Sequence, residues 1–133
     1  MRPRPLLVSV ALIAATLLAG LILRFAPLGL PASIVKYGGS TMWALVIYWL
    51  TSSLLPAWRL TAAALLAGVI ATGVEFGKLY RSPTLDEFRV TLPGILLLGR
   101  YFSYWDILAY WFAIAFGVIV DRAIRPGQPA RPA

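Results

Sequence analysis

Residues 60–80, LTAAALLAGVIATGVEFGKLY, form a mostly apolar stretch of the length that a helix needs to cross a bilayer. Glu75 and Lys78 are the only charged residues in this stretch. Because a charge inside a membrane span is costly, it is usually paired, turned toward protein or functional. The stretch therefore predicts a membrane helix with a polar cluster near its C-terminal end.

Apolar segments on both sides of this stretch predict an all-α, polytopic membrane protein built as a four-helix up-down bundle. The predicted spans lie at residues 6–23, 32–55, 60–80 and 104–120. They would form a single domain of residues 1–125, followed by a disordered Pro- and Ala-rich tail at residues 126–133. The first segment has a cleaved signal peptide as its alternative, but no Ala-x-Ala site precedes Arg24, and we favour a retained span.

The connection between the third and fourth spans is the longest, and it contains signals for local structure. Ser82 or Thr84 can cap a short helix, and Pro93 would end it. A short apolar run follows, which predicts an interfacial or re-entrant element lying over the bundle. Ser103 and Asp106 then have the spacing of a capping box at the start of the fourth span.

Composition excludes several classes of chemistry. With no Cys and no His, the chain has no disulfide, no thiol nucleophile, no Cys- or His-ligated metal and no His-dependent triad. We expect neither a metal site nor a cofactor. Acid–base chemistry would depend on five carboxylates: Glu75, Asp86, Glu87, Asp106 and Asp121. The net charge of +7 comes from cations that flank apolar runs, which favours contact with anionic lipid headgroups over binding of nucleic acid.

The distribution of Lys and Arg outside the spans gives a weak prediction of orientation. These cations are more numerous on the side of the two termini, unless Lys36 and Lys78 at the span edges are counted with the other side. The positive-inside rule then places both termini in the cytoplasm and the long connection outside.

An up-down bundle brings the end of span one, the start of span two, the end of span three and the start of span four to one face. We expect six ligand-binding candidates there: Arg24, Lys36, Glu75, Lys78, Arg89 and Asp106. Glu75 and Lys78 are spaced i, i+3 and can touch. Their pair has two interpretations: an ion pair that secures the bundle, or a site that handles a ligand or a proton. Arg89 would bind an anionic group through its guanidinium.

Gly73 and Gly77 have the G-x-x-x-G spacing within the third span. Small residues one turn apart let membrane helices approach closely. Ordinary helix packing is the favoured interpretation, and a seam between copies of a homo-oligomer is the alternative.

A set of motifs gives the chain a family resemblance. The motifs are Lys36-Tyr37 with Trp43-Ala44, Glu75-Phe76-x-Lys78-Leu79-Tyr80, Asp86, Arg89-x-Thr91-x-x-Gly94, Leu97-Leu98-Gly99-x-x-Phe102-Ser103-x-x-Asp106 and Tyr110. In their order and spacing, from about Arg24 to Asp121, they resemble an uncharacterised bacterial membrane family, domain of unknown function 2809.

That family looks related to the VanZ-like proteins. The VanZ-like pattern has Lys at the second span, Glu-x-x-Gln in the third and Asp-x-x-x-Asn in the fourth. Lys36, Glu75 and Asp106 match it, whereas Lys78 stands at the Gln position and Tyr110 at the Asn position. The resemblance implies a bacterial envelope protein, which we expect in the cytoplasmic (inner) membrane.

The leading hypothesis for function is a non-enzymatic membrane protein that binds an envelope lipid, a glycan or another anionic ligand at the outward-facing cluster. Membrane lipids are the expected partners, and nucleic acid is not expected. One alternative is an intramembrane enzyme acting on lipid or glycan carriers, with Glu75 or Asp106 as general base. Another alternative is a small oligomer that handles ions or protons.

Overall fold

The computed structural model describes residues 4–26, 29–55, 59–80, 82–91 and 103–124, and all regular structure in these ranges is α-helical. The helices are α1 (Leu6–Phe25), α2 (Ala32–Leu54), α3 (Leu60–Gly77), α4 (Pro83–Arg89) and α5 (Tyr104–Ile124). The predicted all-α class is confirmed. All four long helices end at a residue other than the predicted one. Helix α1 continues to Phe25, α2 ends at Leu54, α3 ends at Gly77 because residues 78 and 79 form a turn, and α5 continues to Ile124.

Three of the long helices, α1, α3 and α5, are long and apolar enough to cross a membrane, which indicates a membrane protein. The remaining long helix, α2, has 23 residues, so its length is sufficient. Gly, Ser and Thr residues, Lys36 and several aromatic residues make it less apolar than the others. A fourth span at α2 therefore stays a prediction.

The central position of α2 explains how a less apolar helix fits in the bundle. It packs against α1, α3 and α5, and α3 also packs against α5. Among the described helices, α1 packs against α2 alone. The core lies between α2, α3 and α5, where small residues such as Ala44, Ala67 and Ala71 surround Tyr48 and Ile114. The buried polar residues Tyr48, Thr51 and Ser52 of α2 thus have hydrogen-bond partners outside α2.

Two glycines set the closest approaches in this core. Gly68 on α3 lies beneath the indole ring of Trp111 on α5, which would collide with a Cβ atom at that position. The Trp111 Nε1–H donates a hydrogen bond of 3.2 Å to the hydroxyl of Thr72, which holds the ring in place. On α5, a Cβ atom at Gly117 would lie 2.9 Å from Cδ1 of Tyr48.

Gly73 and Gly77, the pair singled out by their spacing, do not make such approaches. Both are exposed, and among the described residues no neighbouring atom lies within 4 Å of a Cβ atom built at either position. The expected packing of this pair inside the bundle is therefore wrong. The helix rotates so that Gly68 faces α5 and the Gly73 side faces away from the core.

The short helix α4 begins at a side-chain cap. The Ser82 hydroxyl oxygen accepts a hydrogen bond of 3.2 Å from the backbone N–H of Leu85, so the predicted cap at Ser82 is confirmed. The helix ends at Arg89. In the described part of the chain, α4 makes no close backbone approach to the long helices. The predicted interfacial or re-entrant element includes residues 92–102, which lie outside the described residues.

Candidate functional site

Glu75 is the centre of a buried polar cluster at the end of the bundle where α3 ends and α5 begins. Its carboxylate is fully buried and accepts from three donors. Lys78 Nζ lies 2.7 Å from Oε2, and the Tyr110 hydroxyl donates to the same oxygen at 2.6 Å. The backbone N–H of Ser103 donates to Oε1 at 2.8 Å. These contacts connect α3 to α5 and compensate the buried charge.

The hydrogen bond from the backbone N–H of Ser103 shows that the predicted capping box does not form. In that box the Asp106 side chain would accept from the backbone N–H of Ser103, but this N–H donates to Glu75. The N-terminus of α5 offers the Glu75 carboxylate a partial positive charge. Asp106 instead accepts a hydrogen bond of 3.1 Å from the hydroxyl of Ser40 on α2.

Lys78 lies between the two carboxylates. Its Nζ is 2.7 Å from Glu75 Oε2 and 4.0 Å from Asp106 Oδ2, and its side chain is 10% exposed. We call Ser40, Glu75, Lys78, Asp106 and Tyr110 the Glu75 cluster. Two acids and one lysine give this cluster one excess carboxylate. Among the described residues no third acid joins them to complete a metal site.

Two exposed cations lie at the same end of the bundle. Arg24 is in the last turn of α1, with its guanidinium carbon 5.9 Å from the centre of the Phe25 ring. Lys36 is on the first turns of α2, one turn before Ser40, with Nζ 5.3 Å from the centre of the Tyr37 ring. Both side chains are exposed. We call these two exposed cations the rim of this end of the bundle, and we call the buried Glu75 cluster its floor.

The six candidates thus fall into three groups. The structure brings Glu75, Lys78 and Asp106 into one contact network, and it places Arg24 and Lys36 at the same end without joining them to it. The sixth, Arg89, is the last residue of α4, and its side chain lies outside the described part of the structure. Sequence reasoning missed Ser40 and placed Tyr110 only by resemblance, because their roles depend on how α2 and α5 are rotated.

A second buried polar cluster lies at the opposite end of the bundle and was not predicted. Arg4, just before α1, forms an ion pair of 2.8 Å with Asp121 near the end of α5, and their side chains are 1% and 0% exposed. The Tyr48 hydroxyl donates to the other Asp121 oxygen at 2.6 Å. Charge pairing and hydrogen bonds together make this burial possible.

Arg4 also binds the C-terminal part of α2. Its Nη2 donates to the hydroxyls of Ser52 and Ser53 at 2.8 Å and 2.9 Å, and to the Trp49 carbonyl at 3.3 Å. The guanidinium lies 5.2 Å from the centre of the Trp49 ring. We call Arg4, Tyr48, Ser52, Ser53 and Asp121 the Arg4 cluster. It connects the segment before α1 to α2 and α5.

The sequence did contain a signal for the Arg4 cluster. Asp121 is the only acid of the chain outside residues 75–106. In an up-down bundle the end of the fourth span lies beside the start of the first and the end of the second. An acid at the end of one span and an arginine at the start of another could thus have been paired by topology.

Comparison with known families places the chain without assigning it an activity. The matching family model is described as a protein of unknown function (DUF2809), and it covers residues 29–114. The match includes all of the Glu75 cluster and excludes both partners of the Arg4–Asp121 ion pair. No solved structure matches the chain.

Proposed function

The chain belongs to the protein family of unknown function DUF2809, and we propose a function for it from the geometry of its own residues. We propose that it is a multi-pass protein of the bacterial cytoplasmic membrane. Its Glu75 cluster and the adjoining cations would bind the headgroup of an envelope lipid, or another anionic ligand. The agreement of Lys36, Glu75 and Asp106 with the VanZ-like pattern supports a relation to those envelope proteins.

The proposal includes α2 as the fourth membrane span. At one end, a Cβ atom at Gly38 of α2 would lie 3.0 Å from the side chain of Leu23 in α1. At the other end, Arg4 before α1 binds Ser52 in the last turn of α2. The two helices therefore run antiparallel over the same length, and if α1 crosses the bilayer, α2 crosses with it.

One observation supports the proposed binding of an anionic ligand. A buried network with charged groups lies at the same end of the bundle as the exposed cations Arg24 and Lys36. Ionisable groups in membrane segments often mark a binding site or pathway. Arg24 and Lys36 can pair with an anionic group at headgroup level, while Lys78 adds a donor in the floor. The positive-inside rule supports an outward-facing position for this end, with both termini in the cytoplasm.

The exposed cations provide the first test. In the variant Arg24→Gln/Lys36→Gln we expect the amount of phosphatidylglycerol retained per protein after purification in mild detergent to fall several-fold. Lipid extraction with mass spectrometry measures it. The matched control is Arg59→Gln/Arg122→Gln, which removes two exposed arginines from the opposite end and should retain wild-type amounts. Equal retention in all three proteins would refute the proposed site.

We also propose that the exposed Gly73 and Gly77 form a contact between two copies of the chain. Support comes from the exposure of both glycines on the outer side of α3 and from the close helix approach that such spacing permits. This contact is independent of the proposed headgroup site.

A further inference from the structure

The two carboxylates of the Glu75 cluster differ in how fully their oxygens are used. Both oxygens of Glu75 accept at 2.8 Å or less, from Lys78, Tyr110 and Ser103. Asp106 accepts one longer hydrogen bond, from Ser40 to Oδ1, while its Oδ2 is 4.0 Å from Lys78 Nζ. The contacts of Glu75 thus hold the cluster together. Asp106 and Lys78 are the two residues of the cluster that can bind a group of a ligand.

The distance between Lys78 Nζ and Asp106 Oδ2 specifies the kind of group that fits between them. At 4.0 Å the two atoms are too far apart for a direct hydrogen bond. An oxygen about 2.8 Å from each would bridge them at an angle of roughly 90°. Such an oxygen must accept from the ammonium group and donate to the carboxylate. A hydroxyl does both.

Charged groups fit this position less well than a hydroxyl. A phosphate oxygen only accepts, so it would be repelled by the Asp106 carboxylate. An ammonium group only donates, so it would be repelled by Lys78. The exposed rim has the opposite preference, because Arg24 and Lys36 favour an anionic group. A headgroup that combines a phosphate with hydroxyls would therefore place the phosphate at the rim and a hydroxyl at the floor.

We propose that the lipid bound at this site has a hydroxylated headgroup, such as glycerol or a sugar, with one hydroxyl bridging Lys78 and Asp106. This inference rests on the proposed function, since it names the ligand class of the same site. A hydroxyl would reach the floor beside Ser40, which is half-buried, and Lys78, whose side chain is 10% exposed. The Ser40 hydroxyl holds the Asp106 carboxylate in the orientation that the bridge needs.

Two lipids of equal charge distinguish the contribution of the headgroup hydroxyls to binding from that of the phosphate. Phosphatidylglycerol and phosphatidylethanol are both monoanionic phosphodiesters, and only the first has headgroup hydroxyls. With matched acyl chains, each is titrated into the purified wild-type protein, and bound lipid is counted by native mass spectrometry. We expect about tenfold tighter binding of phosphatidylglycerol, as for a hydrogen bond to a charged group.

The floor variants complete the test. Asp106→Leu and Ser40→Ala should bind the two lipids equally, while Arg24→Gln/Lys36→Gln should bind both weakly. Equal binding of the two lipids by wild type, or a preference retained in Asp106→Leu, would overturn the hydroxyl inference and leave the proposed anionic site intact. If wild type binds neither lipid better than the rim variant, the proposed function itself fails.

Discussion

Glu75 illustrates how single residues stabilise a charge inside this bundle. Its donors come from an ammonium group one turn away, a phenol on α5 and the backbone at the start of α5. Local spacing supplies only the first of these. The other two arise because α3 and α5 run side by side, so the burial of Glu75 is a product of tertiary structure. The Arg4–Asp121 pair follows the same rule at the opposite end.

The Arg4–Asp121 pair leads to a prediction about stability. Removing one partner of a buried ion pair leaves an uncompensated charge, which costs about 3–5 kcal/mol. Arg4→Met and Asp121→Leu should each lower the melting temperature in detergent markedly. The double variant should recover a large part of the loss, because no unpaired charge remains. Exposed Arg122→Gln is the control. A double variant as unstable as the sum of the single variants would contradict this account.

At the scale of helices, small residues decide which faces of α3 can pack. Gly68 lies against α5, the alanines at positions 63, 67 and 71 are buried, and Gly73 lies on the outer face. The G-x-x-x-G spacing was visible in the sequence, but spacing alone does not specify which side of a helix faces the core. That choice follows from the whole apolar pattern and from the polar contacts at both ends.

A pair of glycine variants tests this assignment. Gly68→Ala should destabilise the protein by about 1–3 kcal/mol, because the new methyl group collides with a Trp111 ring held by Thr72.

Gly73→Leu should leave the melting temperature unchanged, since its side chain meets no neighbour, and should convert dimers to monomers if the proposed contact exists. Thermal melting and native mass spectrometry provide the two measurements. The packing assignment is wrong if Gly68→Ala melts like wild type, and the dimer contact is wrong if Gly73→Leu leaves the oligomeric state unchanged.

At the scale of the whole molecule, the proposed topology requires α2 to cross the bilayer. The chain has no Cys, so single cysteines can report the side on which each link lies. Leu30→Cys and Arg59→Cys flank α2 and replace exposed residues. In intact spheroplasts we expect a membrane-impermeant maleimide to label Leu30→Cys, and to label Arg59→Cys only after permeabilisation. Labelling of both from one side would show that α2 does not span.

The sequence could predict much of this architecture and only part of the candidate site. Apolar runs of sufficient length, broken by prolines, indicated the long helices to within a few residues. The i, i+3 spacing indicated contact between Glu75 and Lys78. The roles of Ser40, Tyr110 and Arg4 could not be predicted from local pattern, because they depend on the rotation and register of helices far apart in the chain. Hydrophobicity determines that these helices assemble, and specific contacts determine which faces meet.

An apolar layer of about 16 Å, measured along α5 from Tyr110 to Asp121, separates the Glu75 cluster from the Arg4 cluster. The buried positions of this layer include Ala44, Ala67 and Ile114. Proton conduction needs an unbroken series of hydrogen-bonding groups, such as the Asp, Glu and His relays of pumps. Packed alanine and isoleucine side chains offer none. Along these buried positions the two clusters are therefore separate polar ends of the bundle, each held by its own hydrogen bonds.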